Sequence, residues 1–167
     1  MPLLLTTWGK THPGKKRTNN EDTYLIQAEH GLLTVADGMG GAAAGELASR
    51  LFRDCVARVF EHGGAHSLQV SRDLVLKAFN RANQRIREHT RQTPEHAGMG
   101  CTAELLSFYP GGYLLGHVGD SRSYRLRKGF LQQLSRDHSL VQDQIDRGII
   151  AADQAASHRM RHVILRA

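Results

Sequence analysis

The chain has 167 residues, of which 40% are apolar, so it matches a single domain with a sizeable core and is not disordered over most of its length. Its net charge is +6, but only Lys15–Arg17 and Arg125–Lys128 form basic clusters, which disfavours nucleic-acid binding. The N-terminal apolar run is too short for a signal peptide or a membrane span. Cys55 and Cys101 allow at most one disulfide, which is typical of a reducing compartment. We therefore expect a soluble cytoplasmic protein.

The first half of the chain is predicted to form three strands and then two helices. Short apolar runs predict strands at Leu3–Thr7, Tyr24–Ile26 and Leu32–Val35. Apolar residues at helical spacing predict an amphipathic helix from Ala43 to about Glu61, which Gly63-Gly64 stops. A second helix has Ser71 as its candidate N-cap and ends at Thr93-Pro94.

The second half of the chain is predicted to consist mainly of strands. They lie at Cys101–Phe108, Tyr113–Val118, Ser123–Arg127 and Phe130–Leu134. Short glycine-containing turns between them require antiparallel pairing. A short helix from about Ser139 to Arg147 and a weak strand signal at Met160–Leu165 follow. The order of strands, two helices and strands predicts an α+β fold instead of a doubly wound parallel sheet.

Three acidic clusters lie beside glycine or asparagine at the ends of predicted strands: Asn20-Glu21-Asp22, Asp37-Gly38 and Gly119-Asp120-Ser121. Carboxylates at strand ends can converge above a sheet, and a neighbouring glycine lets a backbone carbonyl approach the same point. Ligands that are all oxygen suit hard ions such as Mg²⁺ or Mn²⁺. A single Asp-Gly pair is more typical of a turn, so the metal hypothesis depends on the three clusters together.

Arg17 and the glycine-rich loop each leave an alternative open. Beside a metal centre, the Arg17 guanidinium would bind two phosphate oxygens, but a solvated basic loop explains it equally well. The loop Gly38–Gly41 superficially resembles a dinucleotide-binding turn. Against that, Asp37 would repel a pyrophosphate, and the following helix leads into another helix instead of a second parallel strand.

Other side chains show weaker signals. His158 and His162 are interpreted as surface histidines because no third metal ligand accompanies them. Ser121 lacks a nucleophile-elbow pattern and neither cysteine has an obvious base nearby. The sequence therefore gives no support to covalent catalysis.

Taken together, the motifs resemble bacterial members of the protein phosphatase 2C (PPM) family. Five of them occur in the order found there and span nearly the whole chain: Arg17–Asp22, Val35–Gly41 with Gly45-Glu46, Gly98–Thr102, His117–Arg122 and Leu134–Ser139. The resemblance implies an antiparallel β-sandwich flanked by helices. It also implies a metal-dependent phosphatase that hydrolyses phosphoserine and phosphothreonine and uses two or three Mg²⁺ or Mn²⁺ ions.

The same resemblance implies roles for individual residues. Asp37 would bridge two ions, and the Gly38 carbonyl would bind one of them. Glu21 and Asp22 would act largely through metal-bound water, while Asp120 would match an acid that holds a third, looser ion. Arg17 would clamp the substrate phosphate. A hydroxide held between the ions would attack phosphorus in line, so no protein nucleophile is needed.

The chain also departs from the family pattern. Ala42 and Cys101 stand where many bacterial relatives have His and Thr, and neither position is a metal ligand. Family members continue past the segment that matches Val163–Ala167 into further strands carrying a Ser-Asp-Gly motif and a last Asp, two direct metal ligands. We therefore expect residues 1–167 to form a single incomplete domain, the N-terminal two thirds of a phosphatase, with exposed apolar faces on the remaining strands.

These departures leave a second function open. The chain is either a phosphatase or a catalytically inactive fragment that serves as a phosphoprotein-binding or regulatory module of the same fold. For the phosphatase, the expected partners are a phosphorylated protein and an opposing serine/threonine kinase. Neither nucleic acid nor a membrane is expected as a partner.

Overall fold

The computed structural model describes residues 4–62 and 67–167. Within these ranges the elements are, in chain order, β1 (Asp22–Gln27), β2 (Leu32–Met39), α1 (Ala42–Val59), α2 (Leu68–Gln92), β3 (Gly100–Cys101), β4 (Ala103–Tyr109), β5 (Gly112–Val118), β6 (Tyr124–Arg127), β7 (Phe130–Gln133) and α3 (Leu140–Asp146). Short 3₁₀ segments occur at Ala28–His30, Pro94–His96 and Ala152–Ser157. The predicted α+β class, with antiparallel sheets flanked by helices, is confirmed.

The main sheet is antiparallel and has the strand order β1-β2-β4-β5, with β3 also paired to β2. Asp22 lies opposite Asp37 in the β1–β2 pair, and Ala103 lies opposite Val118 in the β4–β5 pair. Tight connections such as the one at Gly31, which has φ 63°, let consecutive strands pair directly. The hairpins therefore bring the start of β1 and the end of β2 to the same edge of the sheet.

The strand predicted at Cys101–Phe108 is divided into β3 and β4, and both parts share one register against β2. Cys101 pairs with Gly38 and Glu104 pairs with Val35, so Thr102 lies opposite Asp37. The Asp37 N–H donates to Thr102 Oγ1 at 2.9 Å, although in a regular ladder it would meet a backbone carbonyl. β3 and β4 are therefore one extended segment, and the break between them reflects the changed hydrogen bonding at Thr102.

The core lies between the main sheet and the helix pair α1–α2. On β2 the burial alternates, with Leu32 and Ala36 facing the helices. From α1, Phe52 is 2% exposed and packs edge-to-face on Phe79 of α2 at 5.3 Å between ring centroids. Burial of a side chain of this size contributes about 1.5–3 kcal/mol, so the packing fixes α1 firmly against the strands.

Helix α2 begins earlier than the sequence pattern predicted. Its N-cap is Ser67, whose Oγ accepts a hydrogen bond from the Val70 N–H at 3.3 Å. Ser71, the predicted cap, is fully buried within the first turn. Serine is a favoured N-cap residue, so both Ser67 and Ser71 are suitable. With Ser67 as the cap, Ser71 lies within the helix and faces the core. The predicted end of the helix at Thr93 is correct.

The predictions at the two chain ends differ from the structure. Residues 4–7 form no strand, and Leu4 is exposed, because an apolar run becomes a strand only where a partner satisfies its backbone. At the other end, Met160–Leu165 contributes one isolated bridge, Ser139 to Ile164, and no strand. Leu3 and the predicted helix stop at Gly63-Gly64 lie outside the described residues.

Strands β6 and β7 form a separate two-stranded sheet. Three of its large apolar side chains are exposed: Leu126, Phe130 and Leu131. The exposed apolar faces expected on the partners of further family strands stay a prediction. Among the helices in the described ranges, none combines the length and the apolar composition needed to cross a bilayer.

Candidate metal and phosphate site

The structure brings the three predicted acidic clusters together at one edge of the main sheet. Asp22 begins β1 and lies directly opposite Asp37 on β2, so both side chains point to the same face. The two carboxyl groups are close enough for Asp22 to raise the pKa of Asp37. Asp120, in the loop after β5, is close enough for its charge to act on Asp37. Three acids that are distant in sequence therefore share one site.

The electrostatics of Asp37 reflect this crowding. Its pKa is raised from 3.8 to about 6, first by desolvation and then by the charge of Asp22 and the hydrogen bond to it. Asp120 raises the pKa further, and Arg17 opposes the rise. A divalent cation bound between these carboxylates would offset their mutual repulsion, so the site favours cation binding.

Two glycines allow helix α1 to approach β2 closely at this edge. A Cβ atom at Gly38 would lie 2.0 Å from the Gly45 carbonyl oxygen, and one at Gly45 would lie 2.8 Å from Glu21 Oε2. The Gly38 N–H donates to the Glu21 carbonyl at 3.1 Å, and Ser49 Oγ of α1 donates to the same oxygen at 2.6 Å. The close approach thus fixes Glu21 beside Gly38.

Arg17 and the acids line one cleft. Arg17 Nη1 lies 3.9 Å from Glu21 Oε2, and its side chain is 65% exposed while that of Glu21 is 12% exposed. The cleft has a volume of about 630 Å³ and is lined by residues including Lys16, Arg17, Glu21, Asp37, Gly38, Asp120, His162 and Ile164. Asp22 lines a second cavity of about 250 Å³, of which Asp37 is also a wall. Arg17 therefore faces the acidic site, with the rest of its side chain open to solvent.

The donor set suits a divalent cation that binds oxygen ligands, but it is incomplete. Within residues 4–62 and 67–167, no group of three His, Cys, Asp or Glu side chains converges closely enough to hold a metal ion. The carboxylates of Asp22, Asp37 and Asp120 are hard oxygen donors. Because Gly38 and Gly45 have no side chains, backbone atoms also lie close to these carboxylates. Mg²⁺ in particular keeps several waters and takes only one or two carboxylates, so these side chains fit part of such a shell.

The sequence interpretation missed two hydroxyl side chains in the site. Thr102 Oγ1 accepts a hydrogen bond from the Asp37 N–H and lies 2.7 Å from Ser121 Oγ. Both residues occur within the recognised motifs, but nothing in the sequence indicates that their hydroxyl groups meet. His162, which was interpreted as a surface histidine, is exposed and also lines the cleft.

A buried charged residue near the site was also missed. Glu104 on β4 is 4% exposed; its carboxylate accepts a hydrogen bond from Ser123 Oγ and hydrogen-bonds with His117 Nδ1. Burial raises its pKa, and these two partners oppose the rise. Because Ser123 follows the Asp120 loop, Glu104 anchors that loop to the sheet. A glutamate inside the apolar run from Ala103 to Leu106 was the signal that could have revealed it.

Cys101 lies in the same region and is not a nucleophile. Burial, together with the charge of Asp37, raises the pKa of its thiol to about 12. A thiol with such a pKa is protonated near neutral pH, and the thiolate is the reactive form. The Cys101 thiol is therefore a buried group of low reactivity.

Comparisons with known proteins identify the family. The family model for protein phosphatase 2C matches residues 9–166. The serine/threonine protein phosphatase PstP of Mycobacterium tuberculosis is 38% identical over 165 residues, covering 99% of this chain and 31% of that protein. Protein phosphatase PhpP of Streptococcus pneumoniae is 31% identical, covering 92% of this chain and 63% of that protein.

Solved structures show the same fold. The crystal structure of the Mycobacterium tuberculosis phosphatase PstP/Ppp is 39% identical, has a TM-score of 0.81 and covers 95% of this chain and 65% of that one. A structure of the PstP catalytic domain in complex with two manganese ions is 35% identical, with a TM-score of 0.80 and 64% of that chain covered. The chain thus spans between about one third and two thirds of the length of these relatives. On this evidence, the chain belongs to the protein phosphatase 2C family.

Proposed function

We propose that this chain functions as a metal-dependent phosphatase that hydrolyses phosphoserine and phosphothreonine in proteins. The observation that carries the proposal is the meeting of Asp22, Asp37 and Asp120 beside Arg17 in a chain of this family. A group of acids that repel one another next to an exposed guanidinium suits a bound cation and an incoming phosphate together.

The proposed ions are Mg²⁺ or Mn²⁺, two or three in number. The relative PstP, whose catalytic domain was solved with two manganese ions, supports this choice. Asp37 would be the central ligand, with the Gly38 carbonyl, Glu21 and Asp22 contributing directly or through water. Asp120 would serve a further ion. Bound divalent ions lower the pKa of coordinated water toward neutrality and offset the charge that develops on phosphate.

The chain's own residues would bind and orient the substrate. The Arg17 guanidinium is mostly exposed, so it can direct two N–H donors toward a phosphate. Glu21, 3.9 Å away, keeps the guanidinium near the site. Lys16 lines the same cleft and adds positive charge. Since the Cys101 thiol is protonated and buried, the site offers no cysteine nucleophile. Direct attack by water is therefore the route that the residues favour.

The test is manganese-dependent phosphate release from a phosphothreonine peptide by the 167-residue chain. We expect release with Mn²⁺, none with a chelator, and a loss of at least about 100-fold in Asp37→Asn, because asparagine removes the charge of the ligand proposed to hold the ions that stabilise the transition state. Asp73→Asn is the matched control, since Asp73 is an exposed aspartate on α2 outside the cleft. Equal rates for both variants would contradict the proposal.

A second function is favoured by one observation, the lack of three converging ligand side chains in the described ranges. On that alternative, the chain binds phosphoproteins through Arg17 without turnover. A calorimetric titration with Mn²⁺ separates the two functions. Uptake of Mn²⁺ together with phosphate release identifies the phosphatase. Peptide binding that needs Arg17 but not Mn²⁺, with no release, identifies the binding module.

The proposal extends to partners and compartment. A phosphatase for phosphoserine and phosphothreonine acts on the product of a serine/threonine kinase, so a phosphorylated protein is the substrate and an opposing kinase its source. Cys55 and Cys101 are both free and buried, which agrees with a reducing compartment such as the cytoplasm. The scattered basic residues still disfavour nucleic acid as a partner.

A further inference from the structure

Thr102 occupies a central position in the row of residues that crosses the sheet at the site. The register of β2 with β3 and β4 places it opposite Asp37, which itself faces Asp22. The register of β4 with β5, in which Ala103 faces Val118, places the next residue, Gly119, opposite Thr102. Thr102 therefore stands between the strand that carries Asp37 and the loop that carries Asp120.

The hydroxyl group of Thr102 links these two parts of the site. Its Oγ1 accepts the Asp37 N–H at 2.9 Å, while the Thr102 N–H donates to the Asp37 carbonyl at 2.8 Å. The same Oγ1 lies 2.7 Å from the hydroxyl of Ser121, the residue after Asp120. A threonine hydroxyl has one proton and two lone pairs, so it can serve both partners at once. At 2% exposure, Thr102 has little competition from water.

The methyl group of Thr102 has a separate contact. A Cβ atom at Gly119 would lie 2.7 Å from Thr102 Cγ2, and Gly119 has φ 102°, which favours glycine. The methyl group thus packs directly against the turn that starts the Asp120 loop. Serine would keep the hydroxyl link and lose this packing, whereas valine would keep the packing and lose the link.

We propose that Thr102 is a positioning residue whose hydroxyl sets the place of Asp120 relative to Asp37 and thereby the affinity for the divalent ion that Asp120 serves. The inference rests on the proposed function, since it concerns the same metal site. Thr102 acts through Ser121 on one side and the Asp37 backbone on the other.

Calorimetric titration of the 167-residue chain with Mn²⁺ tests the inference without relying on phosphatase activity. We expect Thr102→Val to weaken the Asp120-dependent binding event about tenfold, the factor that corresponds to one buried hydrogen bond, and Thr102→Ser to restore it to within about threefold. Thr34→Val is the matched control. Thr34 is also a buried threonine, but its Oγ1 donates to the Glu104 carbonyl at 2.6 Å and its side chain faces the helices. It should lose comparable stability and keep its Mn²⁺ affinity.

A double variant separates positioning from general destabilisation. In the Asp120→Ala background, Thr102→Val should change Mn²⁺ affinity no further, because the two residues act on one event. If Thr102→Val does not fold, Ser121→Ala removes the other end of the same hydroxyl link and should weaken the same event.

The possible failures are distinguishable. A wild-type chain that takes up no Mn²⁺ overturns the proposed function and the inference with it. Wild-type uptake that Thr102→Val, or Ser121→Ala in its place, leaves unchanged overturns the inference alone. An equal loss of affinity in Thr34→Val also overturns it, because that result assigns the effect to stability.

Discussion

Replacing Gly38 with alanine tests whether the close approach of α1 to β2 builds the site. The new Cβ would lie 2.0 Å from the Gly45 carbonyl oxygen, 2.4 Å from the Gly45 carbonyl carbon and 2.9 Å from the Glu21 carbonyl oxygen. All three are backbone atoms, so no rotamer change relieves the contact, and helix and strand must move apart by about 1 Å or more. Overpacking typically costs 1–3 kcal/mol, and for a backbone clash we expect a loss of about 3 kcal/mol or more in the free energy of unfolding.

Urea unfolding followed by circular dichroism measures this loss, and Gly100→Ala is the matched control. Gly100 lies on β3, paired with Met39 one residue along from Gly38, and a Cβ there would meet nothing closer than 3.7 Å. Its cost should stay below about 1 kcal/mol. If Gly38→Ala were no more destabilising than Gly100→Ala, the close approach of α1 would not be a structural requirement of the site.

Three further substitutions have expected outcomes that the same unfolding measurement checks. Asp37→Asn should stabilise the metal-free chain at pH 7. Because the pKa of Asp37 is raised on folding, from 3.8 to about 6, ionisation of this carboxyl lowers the free energy of unfolding as the pH rises from about 4 through about 6. Asparagine does not ionise, so the variant avoids this loss. The full shift corresponds to about 3 kcal/mol, which solvent screening of this exposed carboxyl reduces to about 1 kcal/mol; a gain that persists unchanged at pH 4 would contradict this reasoning. Phe52→Ala should lose about 3–5 kcal/mol, since Phe52 is 2% exposed, and a loss below 1 kcal/mol would be inconsistent with its place in the core. Ser67→Ala should lose about 1 kcal/mol through its cap, whereas no loss would indicate that helix α2 begins elsewhere.

The strands that build the site were predictable because their signals are local. The apolar runs around Tyr24–Ile26 and Leu32–Val35 lie on either side of a tight turn, and the structure pairs them as β1 and β2. Short turns between strands leave antiparallel pairing as the main option. The acids at the strand ends then had to fall near one edge of the sheet, as Asp22 and Asp37 do.

The remaining features depend on contacts that are distant in sequence. No local pattern shows that Thr102 lies opposite Asp37, because this requires the register between two strands that are 65 residues apart. The apolar run at residues 4–7 carried a strand signal but has no strand in the structure. Ser71 has the chemistry of a cap, but burial against the core decided its role. Tertiary contacts override local propensity in each of these cases.

The site combines two opposing energetic terms in neighbouring residues. Asp37 faces away from the helices, and its charged form is destabilised by burial and by the acids near it. Gly38 faces the helices and permits the packing that holds those acids in place. Substitution of the first should therefore stabilise the metal-free chain and substitution of the second should destabilise it, although the residues are adjacent. Changes of opposite sign in the free energy of unfolding are expected at these adjacent positions if packing maintains a cluster of like charges for a ligand. If Asp37-Gly38 were a purely structural turn, both substitutions would lower the free energy of unfolding.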